Sequence, residues 1–404
     1  MNESIVIIGG GASGLMAAII AARNHGQVTI LERNNRIGKK ILATGNGRCN
    51  FTNAFASSIH YNHPDFVDSV LKQHSAIDTI SFFESLGIAH KIEEEGKTYP
   101  LSDQASSMVD VLLYEVTRLK IDVRTEAKVV QIKKEKVGFT VILHDGQKIY
   151  ASKVIVSTGG KAMPSSGSDG SGYALLQSLG HHSTTIFPAL TKLTLDCPYL
   201  KHLDGVKIPG TVQLLSTNQV VQEESGDILF TSYGISGPPI LELSRRANEL
   251  LLLGTKVEIK VILVTHLTKE EVALRFEQSL DKPIDFSLVG LINKRLISPL
   301  LKDSGIANQT AKVSTLSKAQ LFTLLSKLFD WRFVVTGSKG FEDAQVTAGG
   351  IMMSEVNKDT LESLLVKGLY ITGEVLDIDG LCGGYNLQWA WSSGYVAGLH
   401  ASKG

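Results

Sequence analysis

Residues 43–53, ATGNGRCNFTN, place two glycines, an arginine, a cysteine and three asparagines within eleven positions. Cys49 could serve as a nucleophile or a redox thiol, and Arg48 could bind a phosphate. Asn50 also begins a glycosylation sequon. A fourth interpretation is that the whole segment is a polar loop that wraps around a bound ligand. The elements that surround it distinguish these chemistries.

The length and charge of the chain limit the classes of function. With 404 residues it is long enough for two or three domains, because single cores rarely grow beyond about 250–300 residues. Lys and Arg together equal Asp and Glu, at 40 each. This balance supplies no net field for nucleic acid or an anionic membrane. We therefore expect a small-molecule substrate, no nucleic-acid partner and no membrane partner, and the oligomeric state is left open.

The three cysteines, Cys49, Cys197 and Cys382, are too scattered for a disulfide framework or a zinc-binding pattern. We expect no metal site and a reducing, cytoplasmic location, where the sequon at Asn50 has no function. Residues 4–22 carry no charge, yet the glycine cluster that follows the first apolar residues favours a buried strand, a turn and a buried helix over a membrane span.

The most specific motif lies at the start of the chain. A short apolar run precedes Gly9, Gly11 and Gly14 in G-x-G-x-x-G spacing, and a helix-length apolar stretch follows. A second apolar run ends at Glu32, whose carboxylate can accept a hydrogen bond from an adenosine ribose hydroxyl. Together the strand, glycine turn, helix and strand-terminal acid predict a dinucleotide-binding unit.

Each part of this unit has a physical task. Gly9 permits the tight turn, Gly11 lets the backbone approach a pyrophosphate, and Gly14 lets the helix pack on the strand. The first helical residues, Ala12 and Ser13, present unpaired N–H groups to the phosphates. The turn is therefore the predicted pyrophosphate site.

The sequence after the acid favours FAD over NAD. Residues 33–53 form a long, polar, glycine-bearing excursion where an NAD dehydrogenase usually begins its next helix. The combination resembles the FAD domains of the glutathione reductase-type flavoprotein superfamily. The stretch GKKILATGNGRCNFTN is similar to a bacterial family of NAD(P)/FAD-dependent oxidoreductases that includes aminoacetone oxidase, and the resemblance covers nearly the whole chain. It implies that this segment runs past the pyrophosphate towards the flavin.

Under this resemblance the loop is a cofactor-binding segment. Its glycines permit close approach to a ligand, its basic residues can neutralise phosphates or polar ring edges, and its hydroxyl and amide groups supply hydrogen bonds. Cys49 has two interpretations, a thiol activated by Arg48 or a small residue packed near the isoalloxazine, and we favour the second because no partner cysteine or histidine base is evident. The implied cofactor-binding residues are Arg33, Lys40, Thr44, Gly45, Gly47, Arg48, Cys49 and Asn50.

A second glycine-rich segment, GLYITGEVLDIDGLCGGYNLQWAWSSGYVAG, occupies residues 368–398. In the resembled superfamily this strand, loop and helix return to the FAD domain. An acid after the strand binds the ribityl chain, and the helix N-terminus faces the flavin pyrimidine, where it stabilises the negative charge of a reduced flavin. Glu374 takes the ribityl role, in which the superfamily more often has aspartate. The implied residues are Gly373, Glu374, Gly384, Asn386, Leu387 and Gln388.

Two further segments resemble the pyrophosphate and adenine side of the superfamily's site. Thr158, Gly159 and Gly160 follow a strand and match its strand–TGG signature. Val130, on the strand AKVVQIKK, is the implied main-chain partner of the adenine.

The middle of the chain changes character. Residues 186–264 show short strand patterns separated by Gly, Asn and Pro, and residues 268–328 show helical patterns with capping boxes that begin at Thr268 and Ser317. We predict an α/β fold with a Rossmann-like FAD-binding domain formed from both chain ends, an inserted β-rich domain and a small helical subdomain. The predicted boundaries are 1–188 and 345–404 for the FAD-binding domain, 189–265 and 329–344 for the β-rich substrate domain, and 266–328 for the helical subdomain.

The motifs predict an FAD-dependent oxidoreductase, either an oxidase or a dehydrogenase. Hydride reaches flavin N5 from a small organic substrate such as an amine or aminoketone, and O2 reoxidises the flavin. Flavin chemistry needs few protein side chains, because the protein mainly supplies orientation and electrostatics, so no catalytic residue is assigned. The dipeptides Tyr99-Pro100 and Phe187-Pro188 are candidates for lining a substrate pocket.

Alternatives stay open for the redox partner and the substrate. A second strand–GxGxxG–helix–acid unit is missing, so NAD(P)H would visit transiently as the donor of a flavin reductase or dehydrogenase. A flavoprotein that modifies tRNA or senses redox state is a further alternative, although neutral net charge argues against a large RNA footprint. An ordinary NAD dehydrogenase would leave the C-terminal segment unexplained.

Overall fold

The computed structural model describes residues 4–403, which form two compact units. The first unit contains both ends of the chain, up to Pro188 and from Ala344, and the second spans Ala189–Asp343. A parallel sheet organises the first unit and a closed antiparallel barrel organises the second. The predicted α/β class with a Rossmann-like domain is confirmed. The cofactor and substrate roles given to the separate domains stay predictions.

The N-terminal part of the first unit alternates strands with helices. The strands are β1 (Ser4–Ile8), β2 (Gln27–Leu31), β3 (Thr52–Asn53), β4 (His90–Ile92), β5 (Lys97–Pro100), β6 (Asp122–Arg124), β7 (Val129–Lys134), β8 (Phe139–Leu143), β9 (Lys148–Ala151), β10 (Lys153–Val156) and β11 (Phe187–Ala189). The helices are α1 (Ala12–Arg23), α2 (Pro64–Leu71), α3 (Ala76–Ser85), α4 (Ala105–Arg118) and α5 (Ser171–Gln177).

The second unit wraps six strands into a barrel, in the order β12-β15-β14-β13-β16-β17. Gly226, which pairs with Gly210 in the ladder, lies inside β14, and the strand continues through it. The strands are β12 (Leu193–Asp196), β13 (Lys207–Ser216), β14 (Gln219–Thr231), β15 (Gly234–Ser236), β16 (Val257–Ile262) and β17 (Trp331–Ser338).

Helices of the second unit begin where the capping signals predict. Thr268 Oγ1 accepts from the Glu271 N–H at 3.2 Å while the Glu271 carboxylate accepts from the Thr268 N–H at 2.7 Å. The helical sequence pattern of residues 286–301 does not form one helix. It is interrupted at Gly290, whose φ of +84° ends the helical path. The helices are α6 (Leu200–Leu203), α7 (Pro238–Leu252), α8 (Lys269–Glu277), α9 (Ile284–Ser287), α10 (Lys294–Asp303) and α11 (Lys318–Phe329).

The chain then returns to the first unit and completes its parallel sheet. It adds β18 (Val346–Ala348), β19 (Leu369–Ile371) and α12 (Tyr385–Ser402), and the sheet order becomes β19-β10-β1-β2-β6. Ile7 on β1 is fully buried and lies between Ile30 and Ile155 of the neighbouring strands. Because the strands are parallel, their carboxyl ends share one edge, where the loops after β1, β2, β10 and β19 meet.

The first and last helices of the chain pack directly on each other. An added Cβ at Gly394 would lie 2.3 Å from the Ser13 carbonyl oxygen, and one at Gly398 would lie 2.4 Å from the Ala17 oxygen. These two glycines therefore permit the close approach of α12 to α1. The contact places Gly11 and Asn386 in one unit. Among the described residues, none of the helices has the length and apolar character needed to span a membrane.

A buried histidine makes the stability of the first unit depend on pH. His74 is 3% exposed, its ring stacks on Tyr395 at 4.3 Å, and its Nε2 has no hydrogen-bond partner among the described residues. Burial lowers the pKa of His74 to about 4. The unfolded chain therefore binds a proton that the folded protein does not, as pH falls from about 6.5 towards about 4.

We expect His74→Phe to flatten the acid side of the stability profile, since phenylalanine keeps a ring against Tyr395 and does not titrate. Wild type should lose about 3 kcal/mol more of its free energy of unfolding than the variant between pH 7 and pH 4. Urea unfolding at half-unit pH intervals measures the difference. Parallel profiles for the two proteins would contradict the assignment.

Candidate functional site

In the glycine turn between β1 and α1, two glycines pack tightly against the protein and the third faces open space. An added Cβ at Gly9 would lie 2.5 Å from the Ser157 carbonyl oxygen, and one at Gly14 would lie 2.0 Å from the Gly9 oxygen. At Gly11 an added Cβ would meet nothing within 4 Å. Packing therefore requires glycine at the first and last positions, whereas Gly11 faces the kind of open space that a ligand backbone needs.

The start of α1 supplies hydrogen-bond donors to that space. The first helical bond runs from the Leu15 N–H to the Gly11 oxygen at 2.9 Å. The N–H groups of Ala12, Ser13 and Gly14 precede it and have no acceptor within the helix. Such groups, at the positive end of the helix dipole, favour an anion. The chemistry and the open position together fit a pyrophosphate.

Glu32 lies at the end of β2 with its carboxylate turned back towards the glycine turn. It is 7% exposed, and it accepts hydrogen bonds from the Gly10 N–H at 2.9 Å and from both the backbone and side-chain N–H groups of Asn34 at 2.8 Å. A carboxylate offers about four acceptor positions, so one is left for a ribose hydroxyl. No sequence motif had pointed to Asn34. Arg33 pairs instead with Asp169.

The segment after β10 contributes packing and one unsatisfied hydroxyl. Thr158 Oγ1 is buried without a partner among the described residues. Gly159 has a φ of +72°, and an added Cβ at Gly160 would lie 2.3 Å from Thr347 Oγ1. Val130 sits at a bulge where the β7–β8 register shifts, so its main-chain groups fall outside the regular ladder.

A salt bridge joins the two ends of the chain near this edge. Lys40 Nζ lies 2.6 Å from Glu374 Oε2, and Glu374 Oε1 accepts from the Thr347 N–H at 2.8 Å. Thr347 Oγ1 in turn accepts from the N–H groups of Lys161 and Ala162. Gly373 is also held here, because its N–H donates to Ser393 Oγ at 3.0 Å. Thr347 carries no recognisable motif, and only the fold reveals its position.

The loop of residues 43–53 places its cysteine in the core. Cys49 is fully buried, and its φ of +60° turns the chain sharply. Burial raises the pKa of the Cys49 thiol to about 12, well above its usual value. A thiol that remains protonated is a poor nucleophile. The packing interpretation is therefore the one that the geometry supports.

We expect Cys49 in the folded protein to resist alkylation. A pKa near 12 leaves about a thousandfold less thiolate than a free cysteine has near pH 8, and burial blocks access as well. Brief iodoacetamide treatment followed by peptide mass spectrometry should label half-exposed Cys382 first. Equal labelling of the two cysteines without unfolding would contradict this result.

Arg48 is committed to neighbouring carboxylates. Its guanidinium pairs with Glu93 and lies 2.7 Å from Asp103, and it stacks over the Tyr99 ring at 4.0 Å from the centroid. These carboxylates raise the pKa of Arg48. A phosphate would have to compete with both ion pairs for the Arg48 guanidinium. In this structure Arg48 instead holds the Tyr99 ring in position.

The start of α12 approaches the same loop. An added Cβ at Gly384 would lie 2.4 Å from the Thr52 oxygen and 2.9 Å from Asn50 Oδ1, which accepts from the Thr98 N–H at 3.0 Å. Because Gly384 has no side chain, the Asn50 amide and the start of α12 can lie close together. Of the remaining loop residues, Gly45 and Gly47 both have positive φ, and Thr44 Oγ1 donates to the Ile41 oxygen.

Three predicted residues at the N-terminus of α12 have different environments. The Gln388 N–H donates to the Gly384 oxygen at 3.0 Å, and its buried side chain bonds to Thr52, Thr79 and Ser392. The predicted N–H donation from Gln388 to a flavin is therefore not available. Asn386 and Leu387 lie earlier in the first turn, so their N–H groups have no acceptor within the helix.

A pocket of about 560 Å³ is lined by Glu93, Glu94, Lys97 and Tyr99, in and just before β5. An added Cβ at Gly45 would lie 3.4 Å from the Tyr99 ring, and one at Gly383 would lie 3.5 Å from Lys97 Cε. Tyr99 and Lys97 thus lie near Gly45 of the loop and near Gly383, which precedes α12. Tyr99 is part of this lining, and its predicted contact with a substrate stays a prediction. Within residues 4–403 we find no group of side chains arranged to hold a metal ion.

The parallel sheet, the open glycine turn and the strand-terminal acid define a Rossmann-like dinucleotide-binding protein. Comparison with known families identifies the type more closely. The chain belongs to the HI0933-like family, whose HI0933-like protein Rossmann domain matches residues 3–400.

Curated relatives match the chain over nearly its whole length. It is 44% identical to a 3-dehydro-bile acid delta(4,6)-reductase of Clostridium scindens, with 100% of both chains covered. It is 32% identical to a ribosomal RNA dihydrouridine synthase of Haemophilus influenzae, with 98% of both covered. A protein of the same name from Escherichia coli is 32% identical, with 97% and 96% covered.

Solved structures share the fold. The 3-ketosteroid-delta4-(5alpha)-dehydrogenase of Rhodococcus jostii RHA1 aligns with a TM-score of 0.50 at 14% identity, covering 100% of this chain and 97% of that one. This likeness shows the fold alone. The family and the full-length relative named as a reductase confirm the predicted enzyme class, an oxidoreductase. The specific resemblance to aminoacetone oxidase stays a prediction.

Proposed function

We propose that this protein is an FAD-dependent reductase that saturates a ring carbon–carbon double bond conjugated to a carbonyl group. One observation carries the proposal. The full-length relatives are named for two different substrates, yet a delta(4,6)-reductase and a dihydrouridine synthase both convert a ring double bond to a single bond. A shared fold with a shared reaction and different substrates is common when the substrate pocket varies around a constant cofactor site.

The residues of the first unit fit a flavin dinucleotide. The open turn at Gly11 and the start of α1 would hold the pyrophosphate, Glu32 would hold the adenosine ribose, and the first turn of α12 would face the flavin ring. When bound, the flavin supplies a hydride from its reduced N5. The pocket beside Tyr99, with about 560 Å³, lies within the volume range of small-molecule sites.

The electron donor in this proposal is a transiently bound nicotinamide dinucleotide. The described residues contain a single parallel sheet with a glycine-rich turn of this kind, which leaves no second site for a resident nicotinamide. Oxidation of an amine or aminoketone by O2 remains the competing prediction from the sequence. The two functions differ in the direction of electron flow through the flavin.

Anaerobic flavin spectroscopy separates these functions. The holoenzyme is first reduced with NADH or NADPH, then mixed with a 3-oxo-4-ene steroid, with a uridine-containing rRNA fragment or with buffer. We expect flavin absorbance near about 450 nm to return with at least one of the double-bond compounds. Direct bleaching of the oxidised flavin by aminoacetone or another amine, without reoxidation by either double-bond compound, would overturn the proposal.

A second candidate substrate is ribosomal RNA. The even charge of the whole chain conceals a local excess, because residues 282–327 contain seven Lys and Arg against two Asp, a difference of +5. Lys282, Lys294 and Lys302 on this segment are exposed. A basic surface of this kind favours a polyanion, and the name of two relatives specifies rRNA.

Salt-dependent binding tests this candidate. Retention of an rRNA fragment should fall steeply between 50 and 200 mM salt, as expected when several phosphates are neutralised, by on the order of tenfold or more. The double variant Lys294→Glu, Lys302→Glu should weaken retention while leaving steroid-driven flavin reoxidation unchanged. Retention that is independent of both salt and these lysines would exclude RNA as the substrate.

A further inference from the structure

The pocket lined by Glu93, Glu94, Lys97 and Tyr99 contains one neutral side chain that can donate a proton, the phenol of Tyr99. Tyr99 lies on β5, opposite Lys91 in the β4–β5 ladder. Its ring is fixed from one side by the Arg48 guanidinium, at 4.0 Å from the centroid. Arg48 is itself held by Glu93 and Asp103. The orientation of Tyr99 is therefore determined by a network of ion pairs rather than by a single contact.

Two other charged groups of the pocket, Glu93 and Lys97, are engaged in ion pairs. Glu93 pairs with Arg48 and Lys91, which lowers its pKa and keeps it ionised at neutral pH. Lys97 pairs with Glu95 at 2.5 Å. The Tyr99 hydroxyl lies within electrostatic range of Lys97 and Cys382, and partial burial raises its pKa, so it carries its proton at neutral pH.

The reaction proposed above requires such a donor. Saturation of a conjugated double bond adds a hydride to the carbon remote from the carbonyl and a proton to the carbon next to it. The electron pair of the double bond forms the new bond to that proton. A bound reduced flavin would supply the hydride, and a side chain of the protein would supply the proton.

We propose that Tyr99 is the catalytic proton donor to the carbon next to the substrate carbonyl. This inference rests on the proposed reductase function. The Tyr99 O–H bond breaks as the new C–H bond forms, and the resulting tyrosinate regains its proton from solvent. The ammonium group of Lys97 lies close enough to stabilise the transient negative charge.

Single-turnover kinetics with Tyr99→Phe test the inference. The anaerobically reduced enzyme is mixed with a 3-oxo-4-ene steroid, with the uridine-containing rRNA fragment, or with O2. For the double-bond compound that wild type reduces, we expect flavin reoxidation to slow by about 10²–10⁴-fold, the usual contribution of a general acid. Reoxidation by O2, which needs no proton transfer to carbon, should stay within about threefold of wild type.

Matched variants distinguish donation from positioning. Tyr150→Phe changes an exposed tyrosine on β9 and should leave both rates unchanged. Equilibrium binding of the steroid or RNA to the oxidised enzyme should be unchanged in Tyr99→Phe, whereas a purely positioning role would weaken it. Wild-type rates in Tyr99→Phe, or the full loss appearing instead in Lys97→Ala or Glu94→Gln, would overturn the assignment.

The outcome also separates this inference from the function on which it rests. If neither double-bond compound reoxidises the wild-type flavin, the reductase function is wrong and the donor role is wrong with it. If wild type is active and Tyr99→Phe is equally active, the reductase function stands and only the role of Tyr99 is lost.

Discussion

Replacing Gly11 by alanine is expected to weaken FAD binding while leaving the fold intact. Gly11 has a φ of −82°, which alanine adopts readily, and its added Cβ would meet nothing within 4 Å. The apoprotein should therefore unfold at the same urea concentration as wild type. The methyl group would occupy the space through which a pyrophosphate approaches the backbone, so we expect the Kd for FAD to rise by at least about tenfold, equivalent to about 1.4 kcal/mol.

Gly14→Ala provides the matched control, because here the same methyl group meets the protein itself. Its Cβ would lie 2.0 Å from the Gly9 oxygen, and relieving this overlap should cost about 1–3 kcal/mol of unfolding free energy. Urea unfolding of both apoproteins, together with fluorescence titration of FAD, gives the four values needed. A Gly11→Ala protein that binds FAD as tightly as wild type would show that the open position does not face the cofactor.

Glu32→Ala is expected to release FAD during purification. The variant removes a buried carboxylate whose remaining acceptor position we assign to the adenosine ribose. Hydrogen bonds to charged groups contribute about 1.5–3 kcal/mol, and the Gly10 and Asn34 N–H groups also lose their acceptor. We expect FAD affinity to fall by about 10²-fold or more, measured as the ratio of flavin to protein absorbance after gel filtration.

Glu32→Gln separates the two effects of that change. Glutamine keeps one oxygen acceptor in the same shape but loses the charge and the second acceptor, so intermediate FAD retention is expected. Unfolding of each apoprotein reports the structural part alone. Full flavin occupancy in Glu32→Ala would show that the acid holds the turn and not the cofactor.

The elements of the fold that could be predicted are those governed by local physics. The run from β1 through Gly14 to Glu32 was predictable because strand burial, glycine conformation and helix initiation depend on neighbours within a few residues. The capping boxes at Thr268 and Ser317 belong to the same class. The break at Gly290 was missed because a single glycine within a helical pattern is often tolerated.

The residues of loop 43–53 were assigned by residue type, and only their neighbours in the fold distinguish between the alternatives. The residue type of Arg48 suggested a phosphate contact. Its guanidinium is instead paired with Glu93 and Asp103, which lie 45 and 55 residues further along the chain. Cys49 is inert because the fold removes it from water. No periodicity in the sequence reports contacts of this range.

The dinucleotide-binding unit at the start of the chain is predictable from residue order, because glycine spacing and strand-to-helix order act over short distances. The tertiary structure was needed to place Lys97 beside Tyr99 in one pocket, with Arg48 over the Tyr99 ring and Gly383 near Lys97. That arrangement depends on contacts between segments about 330 residues apart, such as Asn53 with Gly383 at 2.9 Å. Such contacts form only once the parallel sheet has brought both ends of the chain to the same edge.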